Sequence, residues 1–147
     1  MFEEREALIL KVKKAENLHG HLGPFLVIGV KMARLAEKIL SLEKAGRRDL
    51  RVLAKLPLKI PFSCILDGIQ STTQCTIGNG KLKVKNFNGG VTAIFRLKGQ
   101  NKTVKVRVKR QLLETLEHQL SNGTLNEELA WKIAETPENQ LFEIENR

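Results

Sequence analysis

Apolar residues recur every three to four positions in the first third of the chain, which is the spacing of an amphipathic helix. One such stretch spans residues 2–17, and a longer, more apolar one spans residues 25–42. Pro24 stands just ahead of the second stretch, where a helix tolerates proline in its first turn, and Gly46 is placed to end it. The pattern therefore predicts two consecutive helices with a short turn between them.

In the middle of the chain the period falls to two, which is the spacing of β-strands with one buried face. Residues 81–85, 91–97 and 103–109 alternate or are continuously apolar, and glycine-containing turns separate them. We expect them to form a three-stranded antiparallel meander. Residues 50–60 alternate more weakly and contain Pro57, so they predict a further strand that is broken or lies at a sheet edge.

Three further helical stretches accompany these strands. One begins near Cys64, with Ser63 as its N-cap, another spans residues 111–120, and a last one ends at Ala134. Helices followed by strands and then by helices predict the α+β class, in which an antiparallel sheet, the meander plus an edge strand, packs against a layer of helices. At 147 residues the chain is long enough to form one domain, residues 1–147, with its own core.

Composition narrows the class of protein. The chain is 41% hydrophobic and 28% charged, which is typical of a globular protein. Its longest apolar run is interrupted by Gly29 and falls far short of the ~20 residues that a membrane span needs. The charged N-terminus does not resemble a signal peptide. We therefore expect a cytoplasmic protein outside the membrane, in which both cysteines are thiols or metal ligands rather than a disulfide.

The net charge of +9 leaves several partners open. A solvated basic surface is the plainest interpretation, and nucleic acid, an anionic small molecule or an acidic protein partner would also fit. Only 5% of residues are aromatic, so platforms for base stacking are not obvious. The candidate nucleic-acid contacts are cations on or beside the predicted strands: Lys83, Lys85, Arg96, Lys105, Arg107 and Lys109.

Two histidines, His19 and His21, lie on a glycine-flanked turn between the first two predicted helices. Imidazole is the commonest metal-ligand side chain and titrates near neutral pH. The start of the following helix adds free backbone amides that could meet an anion or a thiolate. The alternative interpretation is a pair of loop histidines hydrogen-bonded to backbone and solvent, and the spacing leaves both open.

A second candidate group, Cys64, Asp67 and Gln70, opens the predicted mid-chain helix. The helix dipole favours a thiolate at this end, so we expect the pKa of Cys64 to fall. Cys64 and Asp67 then become candidate catalytic residues. The alternative interpretation is a small buried thiol followed by a carboxylate that only stabilises the first helical turn.

A third group, Thr73, Cys75 and Lys81, lies in a segment that either approaches a cofactor or simply leads from a helix into a strand. The segment lacks the spacing of a phosphate-binding loop.

If the helix runs unbroken from Cys64 to Cys75, its ends are about 16 Å apart, which is too far for one shared metal ion. A metal site at the two histidines must therefore use one cysteine, and we favour Cys64. Two imidazoles and one thiolate leave a fourth position open, as in catalytic zinc sites.

The three motifs together resemble the FmdE family, which takes its name from a component of formylmethanofuran dehydrogenase. That family has an HGH-x-CPG turn before a long helix, then a C-x-x-DAIQ helix and a TGCT-x-GKGNL loop. The corresponding segments here are HGHLGPF at 19–25, CILDGIQ at 64–70 and TQCTIGNGKL at 73–82. The resemblance covers nearly the whole chain. It implies a metal or polar pocket, with zinc as the first candidate metal, on His19, His21 and Cys64.

The chain also departs from the family pattern. Gly23 stands where the family has its first cysteine, so one soft ligand is missing and a metal-free pocket is the alternative. Many members add a C-terminal zinc finger, and we expect none here. The family name implies a molybdenum or tungsten enzyme as partner, and we expect a homodimer. The supporting or cofactor-binding residues carried over are Asp67, Gln70, Thr73, Cys75 and Lys81.

Three functions remain open on these grounds. The first is a metal-binding accessory component or stand-alone protein with a His/Cys pocket. The second is a metal-free enzyme that uses a thiolate, or a binder of an anionic ligand. The third is a basic nucleic-acid-binding protein.

Overall fold

A computed structural model describes residues 2–146 of the chain. The helices in this range are α1 Phe2–His19, α2 Pro24–Ile39, α3 Leu42–Ala45, α4 Cys64–Thr73, α5 Arg110–Ser121, α6 Asn126–Glu135 and α7 Glu138–Leu141. The strands are β1 Leu50–Leu56, β2 Leu82–Asn86, β3 Thr92–Leu97, β4 Lys102–Val108 and β5 Phe142–Asn146. None of the described helices is both long and apolar enough to cross a membrane.

The strands form one sheet in the order β2-β1-β3-β4-β5. β1 and β2 run parallel, and the other neighbours are antiparallel. The predicted α+β class, with a mostly antiparallel sheet against helices, is confirmed. The predicted order within the sheet is wrong, because β2 does not join β3 in a meander. The helix α4 lies between β1 and β2 in the chain, and such a crossover brings two strands together in parallel.

The strand β1 is also placed differently from the prediction. It lies inside the sheet between β2 and β3, whereas β2 takes the edge. Pro57 follows the last residue of β1, so the proline does not interrupt the hydrogen bonds of this strand. The C-terminal segment, predicted only to pack, forms the opposite edge strand β5 and pairs with β4 from Phe142 to Asn146.

The core lies between one face of the sheet and the helix α2. Alternate residues of β1, from Leu50 to Leu56, are buried, and α2 is almost entirely buried from Pro24 to Ala33. Because α2 is covered on nearly all sides, it forms the central element on which α1, α4 and α6 pack.

The helices α2 and α4 touch through their backbones at two glycines. A Cβ atom at Gly29 would lie 2.1 Å from the carbonyl oxygen of Ile65, and one at Gly68 would lie 2.3 Å from that of Leu26. Any larger residue would force the helices apart. This contact holds α4 against α2, and Cys64 at its start lines a cavity together with the first residues of α2.

A buried lysine of α2 holds the end of α6. The Nζ atom of Lys31 donates hydrogen bonds to the carbonyls of Ile133 and Ala134, both at 3.1 Å, and to that of Thr136. These carbonyls lie at the end of α6, where a cation is favourable. Burial lowers the pKa of Lys31. The result is a fixed position for α6, whose first residue Asn126 reaches the same cavity as Cys64.

Candidate functional site

The two histidines stand at the end of α1 and in the turn that follows it. His19 is the last residue of α1, and Gly20 has a φ of 97°, a left-handed conformation that glycine adopts without strain. The amide of Gly20 donates to the carbonyl of Glu16 at 2.8 Å and closes the helix. The turn leaves the rings of His19 and His21 tilted by 34°, with their centres 4.6 Å apart.

His19 is held by a carboxylate from the facing helix α4. Its Nδ1 atom lies 2.6 Å from Oδ2 of Asp67. Asp67 in turn accepts a hydrogen bond from Nε2 of Gln70 at 3.1 Å, and Oε1 of Gln70 accepts one from the amide of Ile77, also at 3.1 Å. This chain of contacts fixes the side chain of Asp67 and places Gln70 between Asp67 and the backbone of Ile77.

The second ring nitrogen of His19 has no partner in the part of the chain that the structure describes. Nε2 is buried from solvent and makes no hydrogen bond. In the neutral tautomer whose Nδ1 donates to the carboxylate of Asp67, Nε2 carries a lone pair. A buried acceptor without a partner is costly, so this nitrogen is a site where a proton donor or a metal ion would bind favourably.

Beside these histidines lies a cavity of about 440 Å³. Its walls come from the end of α1, the start of α2, the segment before α4 and the junction of α5 with α6. His19, His21 and Cys64 all line it. The structure thus places the three predicted metal ligands on one cavity, with Asp67 behind His19.

These donors do not form a ready coordination sphere. Within residues 2–146, no group of three or more histidine, cysteine, aspartate or glutamate side chains is arranged to hold a metal ion. His21 is exposed and rests against the ring of His19, while Cys64 is only 8% exposed. The two histidines and Cys64 therefore line one cavity, but their side chains are not arranged to coordinate one metal ion.

The expectation that Cys64 has a lowered pKa is wrong. Burial raises the pKa of its thiol, and the negative charge of Asp67 raises it further. The amides of Cys64, Ile65 and Leu66 are engaged by the carbonyls of the preceding turn, Pro61 to Ser63, each at 3.1 Å. The backbone amide of Cys64 lowers the pKa of the thiol, but by less than burial and Asp67 raise it. Ser63 precedes the helix as predicted, but its side chain makes no capping hydrogen bond.

The third predicted group lies outside the lining of this cavity. Thr73 donates its hydroxyl to the carbonyl of Ile69 at 2.8 Å and accepts the amide of Cys75 at 3.0 Å. The thiol of Cys75 contacts the carbonyl of Leu50 at 3.4 Å. Lys81 is half-buried in the loop before β2, and its backbone amide donates to a neighbouring asparagine. Thr73 and Cys75 therefore make local structural contacts.

Several cavity residues carry no signal in the sequence motifs. Glu117 and Ser121 come from α5, and Thr124 and Asn126 come from the turn into α6. They lie about a hundred positions beyond the histidines, and no spacing rule links them to the motifs. The Asn-Gly pair at 122–123 marks the turn, and Thr124 or Asn126 is the predicted cap of the last helix. That cap is wrong by a residue, because Leu125 takes the position and α6 begins at Asn126.

Gly23 marks the place where the family pattern has a cysteine. A Cβ atom at Gly23 would lie 3.1 Å from Oδ1 of Asn126, so the asparagine side chain borders the space that a larger residue would need. Both residues line the cavity. This chain therefore has no thiolate ligand at position 23, and the side-chain amide oxygen of Asn126 lies beside that position.

The fold and the cavity together define an α+β protein with a histidine- and cysteine-lined cavity at a junction of helices. A family model described as "FmdE, Molybdenum formylmethanofuran dehydrogenase operon" matches residues 18–145. The chain belongs to this FmdE family, and the resemblance predicted from the three motifs is confirmed.

Two relatives add to this assignment. A protein of Archaeoglobus fulgidus, named "Probable S-adenosyl-L-methionine-binding protein", is 28% identical over 90% of this chain and 41% of its own length. The chain thus spans less than half of that relative. The crystal structure of a protein from Syntrophus aciditrophicus, described as "tungsten formylmethanofuran dehydrogenase subunit e (fmde)-like", matches with a TM-score of 0.64, covering 95% of this chain and 71% of that chain at 23% identity. The second likeness supports the fold.

Proposed function

We propose that this member of the FmdE family binds a divalent metal ion, zinc before others, in the cavity beside His19. The observation that carries the proposal is the buried, unpartnered Nε2 of His19, whose Nδ1 is held by Asp67 at 2.6 Å. Metal-bound histidines characteristically give their other ring nitrogen to a carboxylate, which fixes the tautomer and orients the ring. Asp67 occupies that position here.

His21 and Cys64 supply the remaining donors in this proposal. Two imidazoles and a thiolate form a set that suits zinc, and such a site keeps a further position open, where the metal supplies Lewis-acid chemistry. Coordination requires the ring of His21 to leave its contact with His19. His21 is exposed, so this rotation displaces no core side chain. Gln70 keeps Asp67 in place, and Glu117 and Asn126 face the ligand in the cavity.

The metal proposal is tested by zinc titration of chelator-treated protein. We expect about one zinc per chain in the natural protein and a loss of binding in His19→Ala. His118→Ala is the matched control, because His118 is exposed on α5, hydrogen-bonds to Asn122 and is not among the residues that line the cavity. Circular dichroism checks that both variants fold. Equal zinc content in His19→Ala and the natural protein, or no zinc in either, would contradict the proposal.

A second candidate is an organic ligand that fills the cavity without a metal. The volume of about 440 Å³ lies in the range of small-molecule sites. Phe25 and Leu26 offer apolar contacts, and Glu117 offers a carboxylate for a cationic group. Since one relative is named as a probable S-adenosylmethionine-binding protein, that sulfonium compound is the ligand to try first.

This candidate is separated from the first by calorimetry with S-adenosylmethionine on zinc-free protein. Binding that falls in Glu117→Gln but not in Glu114→Gln, an exposed neighbour on the same helix, would favour it. Absence of heat in zinc-free protein would discard it. A failure of the organic-ligand candidate would leave the metal proposal intact, because calorimetry measures ligand binding to zinc-free protein, whereas the titration measures zinc binding.

The last part of the proposal concerns the proteins with which this chain associates. The family description refers to a molybdenum formylmethanofuran dehydrogenase operon, so we propose an accessory role beside a molybdenum or tungsten oxidoreductase, or a stand-alone role as a homodimer. Light scattering of the purified chain distinguishes a dimer from a monomer.

A further inference from the structure

The face of the sheet that is turned away from the helices, called the outer face here, carries a strong positive charge. Alternation along β1 buries every second residue against the helices and leaves the others outward. The strand register extends these outward rows across the sheet. The outward cations of β1 to β4 are Arg51, Lys55, Lys83, Lys85, Arg96, Lys105 and Arg107. The edge strand β5 adds two outward carboxylates, Glu145 opposite Lys105 and Glu143 opposite Arg107, so the excess of cations is greatest over β1, β2 and β3.

Two pairs of these cations stand directly opposite each other on neighbouring strands. Arg51 pairs with Arg96 across β1 and β3, and Lys55 pairs with Lys85 across β1 and β2. Like charges in this position destabilise a sheet. Between residues 2 and 146, none of the four side chains forms an ion pair with a carboxylate. Stability alone does not explain this arrangement, whereas an anionic partner on the face would relieve it.

The centre of the outer face is apolar. Leu53 of β1 pairs with Ile94 of β3, and both are partly exposed. In the same row, Lys83 flanks Leu53 and Lys105 flanks Ile94. An apolar centre inside a charged rim is the composition of a protein-binding surface.

This composition favours a protein partner over a nucleic acid. A phosphate backbone has no apolar group to place on Leu53 and Ile94. None of the described strand residues that point outward is aromatic, so a row of bases would find a single stacking partner, Phe87 just beyond the end of β2. An acidic protein segment can satisfy both parts of the surface, since it combines carboxylates with apolar side chains.

We propose that the outer face binds an acidic protein segment, which sets apolar side chains on Leu53 and Ile94 and carboxylates against the surrounding cations. A groove of about 620 Å³ continues the surface at one end of the sheet. Lys55, Arg107 and Arg110 line this groove together with Phe87 and one carboxylate, that of Glu143. The surface lies on the opposite side of the sheet from the His19 cavity, so this inference is independent of the proposed function.

The test uses synthetic peptides and fluorescence polarisation on the whole chain. One peptide is rich in glutamate with leucines at its centre, a second has serines in place of the leucines, and mixed-sequence duplex DNA is the third probe. Arg96→Glu places an opposite charge beside Arg51 and should fold without strain. Lys13→Glu, on an exposed position of α1, is the control with the same change of net charge. Leu53→Thr removes the apolar centre.

We expect the leucine peptide to bind about tenfold more weakly to Arg96→Glu, and within about twofold of the natural affinity to Lys13→Glu. We also expect it to bind about fivefold more tightly than the serine peptide, an advantage that disappears in Leu53→Thr. Equal losses in the two charge variants would reduce the effect to net charge and overturn the proposal. Tighter binding of duplex DNA, independent of Leu53, would assign the face to nucleic acid instead, and failure of both peptides to bind would also refute it.

Discussion

The two ends of α4 each carry a cysteine, and they differ in what surrounds the thiol. Cys64 begins the helix and lines a cavity that it shares with His19 and His21. Cys75 lies just beyond the other end, is 1% exposed and directs its thiol to the carbonyl of Leu50 at 3.4 Å. Burial raises the pKa of both thiols, so their protonation does not separate them.

What separates them is whether the polar groups beside each thiol belong to residues that line the cavity. At the Cys75 end, the hydroxyl of Thr73 is bonded on both sides, and the backbone turns at Gln74, whose φ is 63°. Oγ1 of Thr72, at this same end, is buried without a partner among the described residues, but Thr72 lies outside the cavity lining. At the Cys64 end, the buried atom without a partner is Nε2 of His19, and both His19 and Cys64 line the cavity. Neither a thiol nor an unsatisfied buried atom is therefore a guide to a site by itself, and the two on one cavity are a better one.

The largest effect should come from the contact that holds α4 between these two ends. In Gly68→Ala, the added Cβ would lie 2.3 Å from the carbonyl oxygen of Leu26 and 2.8 Å from the amide of Val30. Both are backbone atoms, so the helices must separate. We expect the free energy of unfolding to fall by about 3 kcal/mol in urea denaturation.

Gly78→Ala is the control for this substitution. Its Cβ would meet only Thr76 Oγ1 at 3.8 Å, so the change in stability should stay within about 0.5 kcal/mol. If the two variants unfold alike, α2 and α4 are not in backbone contact, and the placement of Cys64 on the cavity loses its support.

Zinc affinity should distinguish the two cysteines directly. Removing a proposed ligand, as in Cys64→Ala, should weaken zinc binding by about a hundredfold, or about 2.7 kcal/mol. Cys75→Ala should leave the zinc affinity unchanged and instead lower the stability by about 1 kcal/mol, because it opens a small space in the core. Competition titration with a chelating dye and urea denaturation measure the two quantities. A loss of affinity in Cys75→Ala alone would reverse the comparison.

A smaller effect is expected from the carboxylate behind His19. Asp67→Asn should weaken zinc binding by about ten- to a hundredfold, since the oxygen that orients the ring loses its charge. The nitrogen chemical shifts of His19 should change with the tautomer, which a merely structural role would not require. Asp49→Asn, an exposed position remote from the cavity lining, should change neither quantity. Unchanged shifts in Asp67→Asn would remove Asp67 from the site.

The sequence predicts those features of the molecule that depend on the spacing of nearby residues. The start of α2 at Pro24 and the start of α4 at Cys64 follow from local signals. The predicted end of the second helix at Gly46 is wrong, because α2 ends at Ile39 and Gly46 instead ends the short helix α3. The sheet order does not, because residues 81–85 have the same alternation whether they pair with β1 or with β3. The choice is decided by tertiary packing alone. The helix α4 connects β1 to β2 in the chain, and where it packs determines which strand β2 joins.

The candidate site also combines features that local spacing predicts with contacts that only tertiary packing sets. Helical spacing places Asp67 beside Cys64 on one helix, but the contact of Asp67 with His19 spans 48 positions and depends on the glycine contact of α2 with α4. The walls contributed by Glu117 and Asn126 come from the far end of the chain. The expected fall in the pKa of Cys64 is wrong because burial, which the local sequence does not reveal, opposes the helix dipole.

The smallest expected effect is kinetic and tests the thiols themselves in metal-free protein. Alkylation requires the thiolate. Because burial raises the pKa of both thiols, each keeps its proton at a pH where free cysteine is already partly ionised. We expect iodoacetamide to modify Cys64 several times more slowly than free cysteine near neutral pH, and Cys75 only as fast as the protein unfolds, since Cys75 is 1% exposed. Peptide mapping by mass spectrometry follows the two sites separately.

The pH dependence sharpens this last comparison. A raised thiol pKa means that the native protein holds a proton that the unfolded chain releases, so the stabilisation is complete below the ordinary thiol pKa and declines as the pH rises through the folded value. The rate at Cys64 should therefore rise with pH through a midpoint above that of free cysteine. Asp67→Asn removes one of the two causes of the shift at Cys64 and none of those at Cys75, so only the Cys64 midpoint should move down. A Cys64 that reacts faster than free cysteine at neutral pH would mean that the cavity stabilises a thiolate, and the two ends of α4 would then differ in charge as well as in access.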